Sequence, residues 1–107
     1  MHIFELARRL IEIESITENE KNVAHFLKDY LAQLNYRVSL QEAAPNRFNV
    51  LALAGQAELV FSTHIDTVPP YIPFREDEQY LYGRGACDAK GILAAQVEAA
   101  QRLRAAG

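Results

Sequence analysis

Cysteine is almost missing from this chain: Cys87 is the only one in 107 residues. No internal disulfide can form, and a reducing compartment is the simpler setting. Basic runs are missing too. The 11 Lys and Arg are outnumbered by 14 Asp and Glu, for a formal net charge of −3. That argues against nucleic acid as a partner, because phosphate binding relies on clustered Lys and Arg. No apolar stretch approaches the length needed to span a bilayer. The start, Met1-His2-Ile3-Phe4-Glu5, has no basic segment leading into a long apolar run, so no signal peptide is expected. A cytoplasmic protein with neither a membrane nor a nucleic-acid partner follows. Internal repeats, low-complexity segments and dividing linkers are also absent, which fits one domain or one piece of a larger domain. What the chain does have is apolar content, 50% by the broad count, enough to build a core.

The apolar pattern changes period along the chain. Ile3, Phe4, Leu6, Ala7, Leu10, Ile11 and Ile13 recur at helical spacing. Thr17-Glu18-Asn19-Glu20 reads as a capping box, Thr17 as N-cap with Glu20 reaching back. The helix it opens carries Val23, Phe26, Leu27, Tyr30, Leu31 and Leu34 on one stripe, with Asn35 as a left-handed stop. Tyr36 to Leu40 alternates and predicts a strand, Ala43-Ala44-Pro45-Asn46 a turn, and Phe48 to Leu53 a second strand. Gly55 with Gln56 marks the next turn. Leu59 to Ser62 is short and apolar, as a buried central strand would be. Val68 to Pro73 holds three prolines and must be a loop. Phe74 to Tyr82 has an acidic tip, Glu76-Asp77-Glu78, between aromatic-bearing arms and predicts a hairpin. Gly91 to Ala106 is a helix by propensity, with Gly107 as its cap. The class is α/β, a mixed sheet packed against helices.

Two short motifs carry the chemistry. The first is Ser62-Thr63-His64-Ile65-Asp66-Thr67-Val68-Pro69, and the second is Gly83-Arg84-Gly85-Ala86-Cys87-Asp88-Ala89-Lys90-Gly91. A hydrolytic zinc site needs nitrogen or oxygen ligands and an open position for water. His64, at the end of a buried strand, is a natural ligand. Residues two apart on a strand share a face, so Asp66 is spaced to orient the His64 imidazole through its other nitrogen. Asp88 follows in the second motif. A carboxylate can bridge two cations, which two-metal hydrolases hold roughly 3.5–4 Å apart. The helix that begins after Asp88 points its N-terminus toward the site.

These residues resemble the two N-terminal signatures of the zinc metallopeptidase family of aminoacylase, acetylornithine deacetylase, succinyl-diaminopimelate desuccinylase and carboxypeptidase G. The signatures are Ser-x-His-x-Asp-x-Val-Pro and Gly-Arg-Gly-x-x-Asp-x-Lys-Gly, and residues 62–69 and 83–91 match every fixed position. The resemblance also takes in the two N-terminal helices and Arg47 and Asn49 at the second strand. It implies the N-terminal part of a phosphorylase/hydrolase-like di-zinc catalytic domain. His64 would then ligate one zinc and Asp88 bridge both, with cobalt able to substitute. Asp66 would be the catalytic-centre carboxylate orienting His64, and a cis peptide would follow Asp88. The implied reaction is amide hydrolysis of N-acyl amino acids or short peptides by a metal-activated water. Intact members are often homodimers.

The resemblance also implies parts that residues 1–107 do not hold. The family's Glu-Glu pair supplies the general base and a further ligand, and no adjacent Glu-Glu occurs here. The later acidic and histidine ligands and the dimerisation domain are likewise missing, so residues 1–107 are expected to be a fragment of the catalytic domain. The alternative is a catalytically incompetent chain that serves as a binding or assembly module with a separate C-terminal half. Rival roles stand beside the sharp ones. Asp66 is also a turn former and Asp88 also an N-cap. Cys87 is expected to be a small buried residue. Lys90 and Arg84 are expected to support the loop. Glu76-Asp77-Glu78 is expected to be a solvated tip, and Tyr71, Phe74, Tyr80 and Tyr82 to pack the hairpin rather than line a pocket.

Overall fold

The computed structural model describes residues 2–55 and 59–106. The expected turn at Gln56 and cap at Gly107 fall outside them. Helix α1 (Ile3–Glu12) is capped by His2, whose Nδ1 accepts from the Phe4 amide at 3.2 Å. Leu6, Ala7, Leu10 and Ile11 form its buried stripe. Helix α2 (Lys21–Gln33) buries Val23, Ala24, Leu27, Tyr30 and Leu31. Both patterns follow the 3.6-residue repeat, and each fully buried Leu, Ile or Val contributes roughly 1.5–3 kcal/mol.

Helix α2 ends as its sequence predicts. Asn35 adopts φ 69°. The Tyr36 amide then donates to Leu31 O at 3.1 Å and the Asn35 amide to Ala32 O at 3.0 Å. This pairing satisfies carbonyls that the helix end would otherwise leave open. Arg104 adds a second closure, donating to Leu34 O at 2.6 Å and Asn35 O at 3.0 Å.

The start of α2 differs from the expected capping box. Its N-cap residue is Glu20, which makes no side-chain cap bond. Glu20 instead accepts from the Glu18 amide at 3.0 Å and pairs with Arg47 at 3.2 Å. Thr17 is drawn away by the 62–69 motif, as described below. Tertiary partners have outcompeted the local cap.

Strands β1 (Arg37–Ala44) and β2 (Arg47–Leu53) form an antiparallel hairpin with register Arg37↔Leu53 and a bulge between Glu42 and Ala44. Pro45 and Asn46 make the turn, with Asn46 at φ 63°. Val38, Val50 and Ala52 pack from this hairpin onto the core formed by Leu6, Leu10, Val23, Leu27 and Leu31. Strands β3 (Arg75–Glu76) and β4 (Leu81–Tyr82) form the second hairpin. Its tip is held by Asp77, whose Oδ1 accepts from the Gln79 and Tyr80 amides and whose Oδ2 accepts from the Tyr82 hydroxyl. Arg8 of α1 lies over Phe74, and within the hairpin Arg75 lies over Tyr82. Helix α3 (Lys90–Ala106) packs along α1 and buries Ala94.

Helices with small antiparallel sheets make a mixed α/β arrangement. The ladders among the described residues are both antiparallel, and the parallel pairing is one bridge, Ile16↔Thr67. The expected central strand at 59–62 is not formed. Leu59, Val60 and Phe61 are 61%, 78% and 44% exposed. A central strand is defined by neighbours on both sides, and the described residues supply none. No helix among the described residues is long and apolar enough to cross a membrane.

Candidate metal centre

The two motifs meet at one cleft of about 250 Å³, lined by residues 64 and 66–68 of the first and 83–88 of the second. At its centre the His64 imidazole lies between two carboxylates. Nδ1 is 3.1 Å from Asp66 Oδ1 and 3.1 Å from Asp66 O. Nε2 is 2.9 Å from Asp88 Oδ1. The hydrogen bond to Asp88 holds the His64 pKa above its ordinary value, with partial burial opposing and Asp66 assisting. Asp66 is held below the usual carboxylate range, first by the Thr17 hydroxyl and then by His64, again against burial.

Local structure explains how the carboxylates reach the ring. Asp66 stands two residues from His64, and the Ser15–Thr17 segment grips the backbone around it. The Thr67 amide donates to Ser15 O at 2.8 Å and the Thr17 amide to Thr67 O at 2.9 Å. The Ser15 hydroxyl donates to Ile65 O at 2.7 Å. Asp88 sits on a turn before α3 that is shaped by close backbone approach. Gly85 has φ 90°, and a Cβ there would stand 2.8 Å from Thr67 Cγ2 and 3.1 Å from Lys90 Cδ. A Cβ on Gly91 would meet Ala86 O at 2.3 Å. The Asp88–Ala89 peptide is cis, as the resemblance implies.

Gly91→Ala therefore forces the 86–88 turn to move, since the obstacle is backbone. The expected cost is about 1–3 kcal/mol, the usual range for overpacking, read as a lowered urea midpoint. An unchanged midpoint would show that the turn gives way freely.

The two supporting charges, Arg84 and Lys90, brace the site as the sequence predicts, and Cys87 departs from its expectation. Arg84 Nε donates to Pro70 O at 2.8 Å and ties the proline loop to the second motif. Lys90 is 1% exposed and its ammonium donates to Ile13 O at the end of α1. Burial pushes its pKa down to about 8. Cys87, expected to be buried, is exposed. It lies on the outer side of the turn and lines the cleft beside Asp88. His2 and His25 stay away from the site, one capping α1 and the other edge-on to Phe48.

The donor chemistry suits a divalent cation on one side only. His64 Nε2 and Asp88 Oδ1 converge, and ligands of one tetrahedral zinc stand about 3.3 Å apart at its usual bond lengths. The imidazole's other nitrogen already has a carboxylate, the usual arrangement for a ligating histidine. Among the described residues, no group of three or more His, Cys, Asp or Glu could hold a metal ion. Any further donor would come from outside them. Sequence reasoning did not find Thr17 or Ser15 as parts of this centre. Their hydroxyls act across 49 and 50 residues of chain, and Thr17 is equally plausible locally as a helix cap.

Residues 60–107 match peptidase family M20/M25/M40. The chain is 40% identical to a peptidase M20 domain-containing protein of Schizosaccharomyces pombe, over 99% of this chain and 28% of that protein. It is 39% identical to a probable carboxypeptidase of Aspergillus flavus, over 87% of this chain and 26% of that one. A probable carboxypeptidase of Arthroderma otae is 36% identical, over 92% and 27%. The chain thus spans about a quarter of the length of these relatives.

Proposed function

Residues 60–107 belong to peptidase family M20/M25/M40, and from that premise we propose that the chain forms the N-terminal part of a zinc-dependent amidohydrolase domain. The observation that carries the reading is the His64 imidazole held between Asp66 and Asp88 where the two motifs meet. In this reading His64 and Asp88 ligate zinc, Asp88 being placed to serve two ions, and Asp66 fixes the ring by accepting from Nδ1. When bound, zinc supplies activation of water and polarisation of the scissile carbonyl. The chain's own part is to turn Nε2 toward Asp88 and the cleft, where it would give up the proton it shares with Asp88 Oδ1 on metal binding, and to hold that orientation. The general base and the remaining ligands lie outside residues 1–107, and so does the domain through which such enzymes would pair.

The substrate class is an N-acyl amino acid or a short peptide with a free carboxylate. The relatives named as probable carboxypeptidases support the peptide arm. A test is amine release from N-acetyl and N-succinyl amino acids and from dipeptides. The assay uses an intact enzyme in which residues 1–107 are joined to the general base and the remaining ligands, zinc-loaded, after chelation, and after zinc is restored. Turnover that vanishes with the chelator and returns with zinc is expected. No release from any of these substrates would sink the proposal.

One observation favours a second reading, an assembly module completed by a separate polypeptide. Leu59, Val60 and Phe61 stand exposed directly before the His64 motif, an apolar stretch of the kind that marks a protein contact. In that case amine release appears only when the second polypeptide is added.

A further inference from the structure

The connection between α1 and α2 touches both halves of the site. From its Ile13 end, the carbonyl accepts from the Lys90 ammonium, two residues after Asp88. From its other end, Ser15 and Thr17 bracket the first motif through four backbone-directed bonds around Ile65 and Thr67, the longest from the Thr17 hydroxyl to Thr67 O at 3.3 Å. One bond in this set reaches a site side chain directly. The Thr17 hydroxyl donates to Asp66 Oδ2 at 2.6 Å, while Asp66 Oδ1 faces His64 Nδ1 at 3.1 Å.

We infer that Thr17 is a positioning residue of this centre, acting on His64 through Asp66. The inference rests on the metal-site reading above and adds a residue that neither motif contains. A carboxylate has two oxygens and free rotation about its last bond. If only the imidazole held it, Asp66 could turn its other oxygen, or swing away to water. The Thr17 hydroxyl occupies Oδ2 and leaves Oδ1 as the oxygen that meets the ring. Thr17 is in turn fixed by its own backbone, through the Thr17 amide on Thr67 O at 2.9 Å. The hydroxyl is therefore preorganised and does not have to be ordered when a metal arrives. With Nδ1 committed to Asp66, Nε2 is the nitrogen turned toward Asp88 and the cleft. Hydrogen-bond partners behind a metal's ligands orient them and set ligand basicity, and losing one typically costs about 10–100-fold in metal affinity or activity. Thr17 stands one bond further back, so the lower end of that range applies.

The test measures zinc affinity of the full protein by competition with a chromophoric chelator. The variants are Thr17→Val, Thr17→Ser, Asp66→Asn and the pair Thr17→Val with Asp66→Asn. Thr17→Val keeps the shape and the backbone bond and removes only the donor. It is expected to weaken zinc binding about 10-fold, while Thr17→Ser stays close to wild type. The double variant is expected to bind no more weakly than Asp66→Asn alone, because the two changes break one chain of bonds. A wild-type affinity for Thr17→Val, additive losses in the double variant, or a loss in Thr17→Ser equal to that in Thr17→Val would each overturn the inference. If Thr17→Val does not fold, Thr17→Ser still decides, since it retains the hydroxyl and must retain the affinity. His64→Ala separates the two levels. Zinc binding lost in His64→Ala but kept in Thr17→Val removes the Thr17 role alone. Zinc binding kept in His64→Ala removes the metal-site reading itself.

Discussion

In the intact enzyme that supplies the general base and the remaining ligands, His64→Ala is expected to lose one zinc equivalent and nearly all turnover, while the fold persists. The argument starts from what the ring touches. Its Nδ1 and Nε2 are each within 3.1 Å of a carboxylate oxygen, so alanine removes the one group that links Asp66 to Asp88. The side chain is half exposed and takes no part in the core around Leu10, Val23 and Leu27, so stability should change little. The two carboxylates left behind face a cleft with no nitrogen donor between them. Loss of an outer partner already costs about 10–100-fold in metal affinity, and loss of the ligand itself should exceed the top of that range. Metal analysis after gel filtration, together with amine release, checks both parts. Normal zinc content with normal turnover would remove His64 from the ligand set. A lowered melting temperature with normal zinc content would instead make it a structural residue.

The reach of sequence reasoning followed the range of the interactions. Local patterns were legible. The stripe from Leu6 to Ile11, the left-handed stop at Asn35, the Pro45-Asn46 turn and the Asp77 tip each depend on residues within a few positions. The pairing of His64 with Asp66 is also local, two residues apart on the chain. The approach of Asp88 to His64 spans 24 residues; nothing in composition or periodicity points to it, and only the pair of motifs does. What stayed hidden was competition between near and far partners. Thr17 and Glu20 have the spacing of a capping box, yet Asp66 and Arg47 claim them. The Thr17 hydroxyl donates its proton to the charged Asp66 acceptor, a stronger bond than one between two neutral groups. Cys87 misled for a related reason, since a residue type that is usually buried sits on a turn whose outer side forms the cleft. The segment 59–62 has the composition of a central strand, but composition cannot supply the neighbours that make a strand central.

Lys90→Glu is expected to unfold the protein or cost it more than about 4 kcal/mol, the range in which a buried, unpaired charge places a variant. Lys90 is 1% exposed and its ammonium ends on Ile13 O. Ile13 is the C-cap of α1, so the cation lies at the negative end of the helix dipole. A carboxylate there meets a carbonyl oxygen and the same dipole, and water is excluded. Lys90→Met should behave differently. Methionine keeps the stem that runs beneath Gly85, and the lost bond to Ile13 is partly offset by the desolvation that no longer has to be met. A change within about 1.5 kcal/mol is expected. The pH dependence gives a second readout on metal-free protein. Burial lowers the folded-state pKa to about 8 from the ordinary lysine value of 10.5. Between those values the unfolded chain binds more protons, so wild-type stability should rise with pH relative to Lys90→Met. Below about pH 8 the difference should be flat. Urea titrations of both proteins from pH 7 to 10.5 measure it. A Lys90→Glu variant as stable as wild type would show that the ammonium reaches water and that its bond to Ile13 O is no brace between α1 and the second motif.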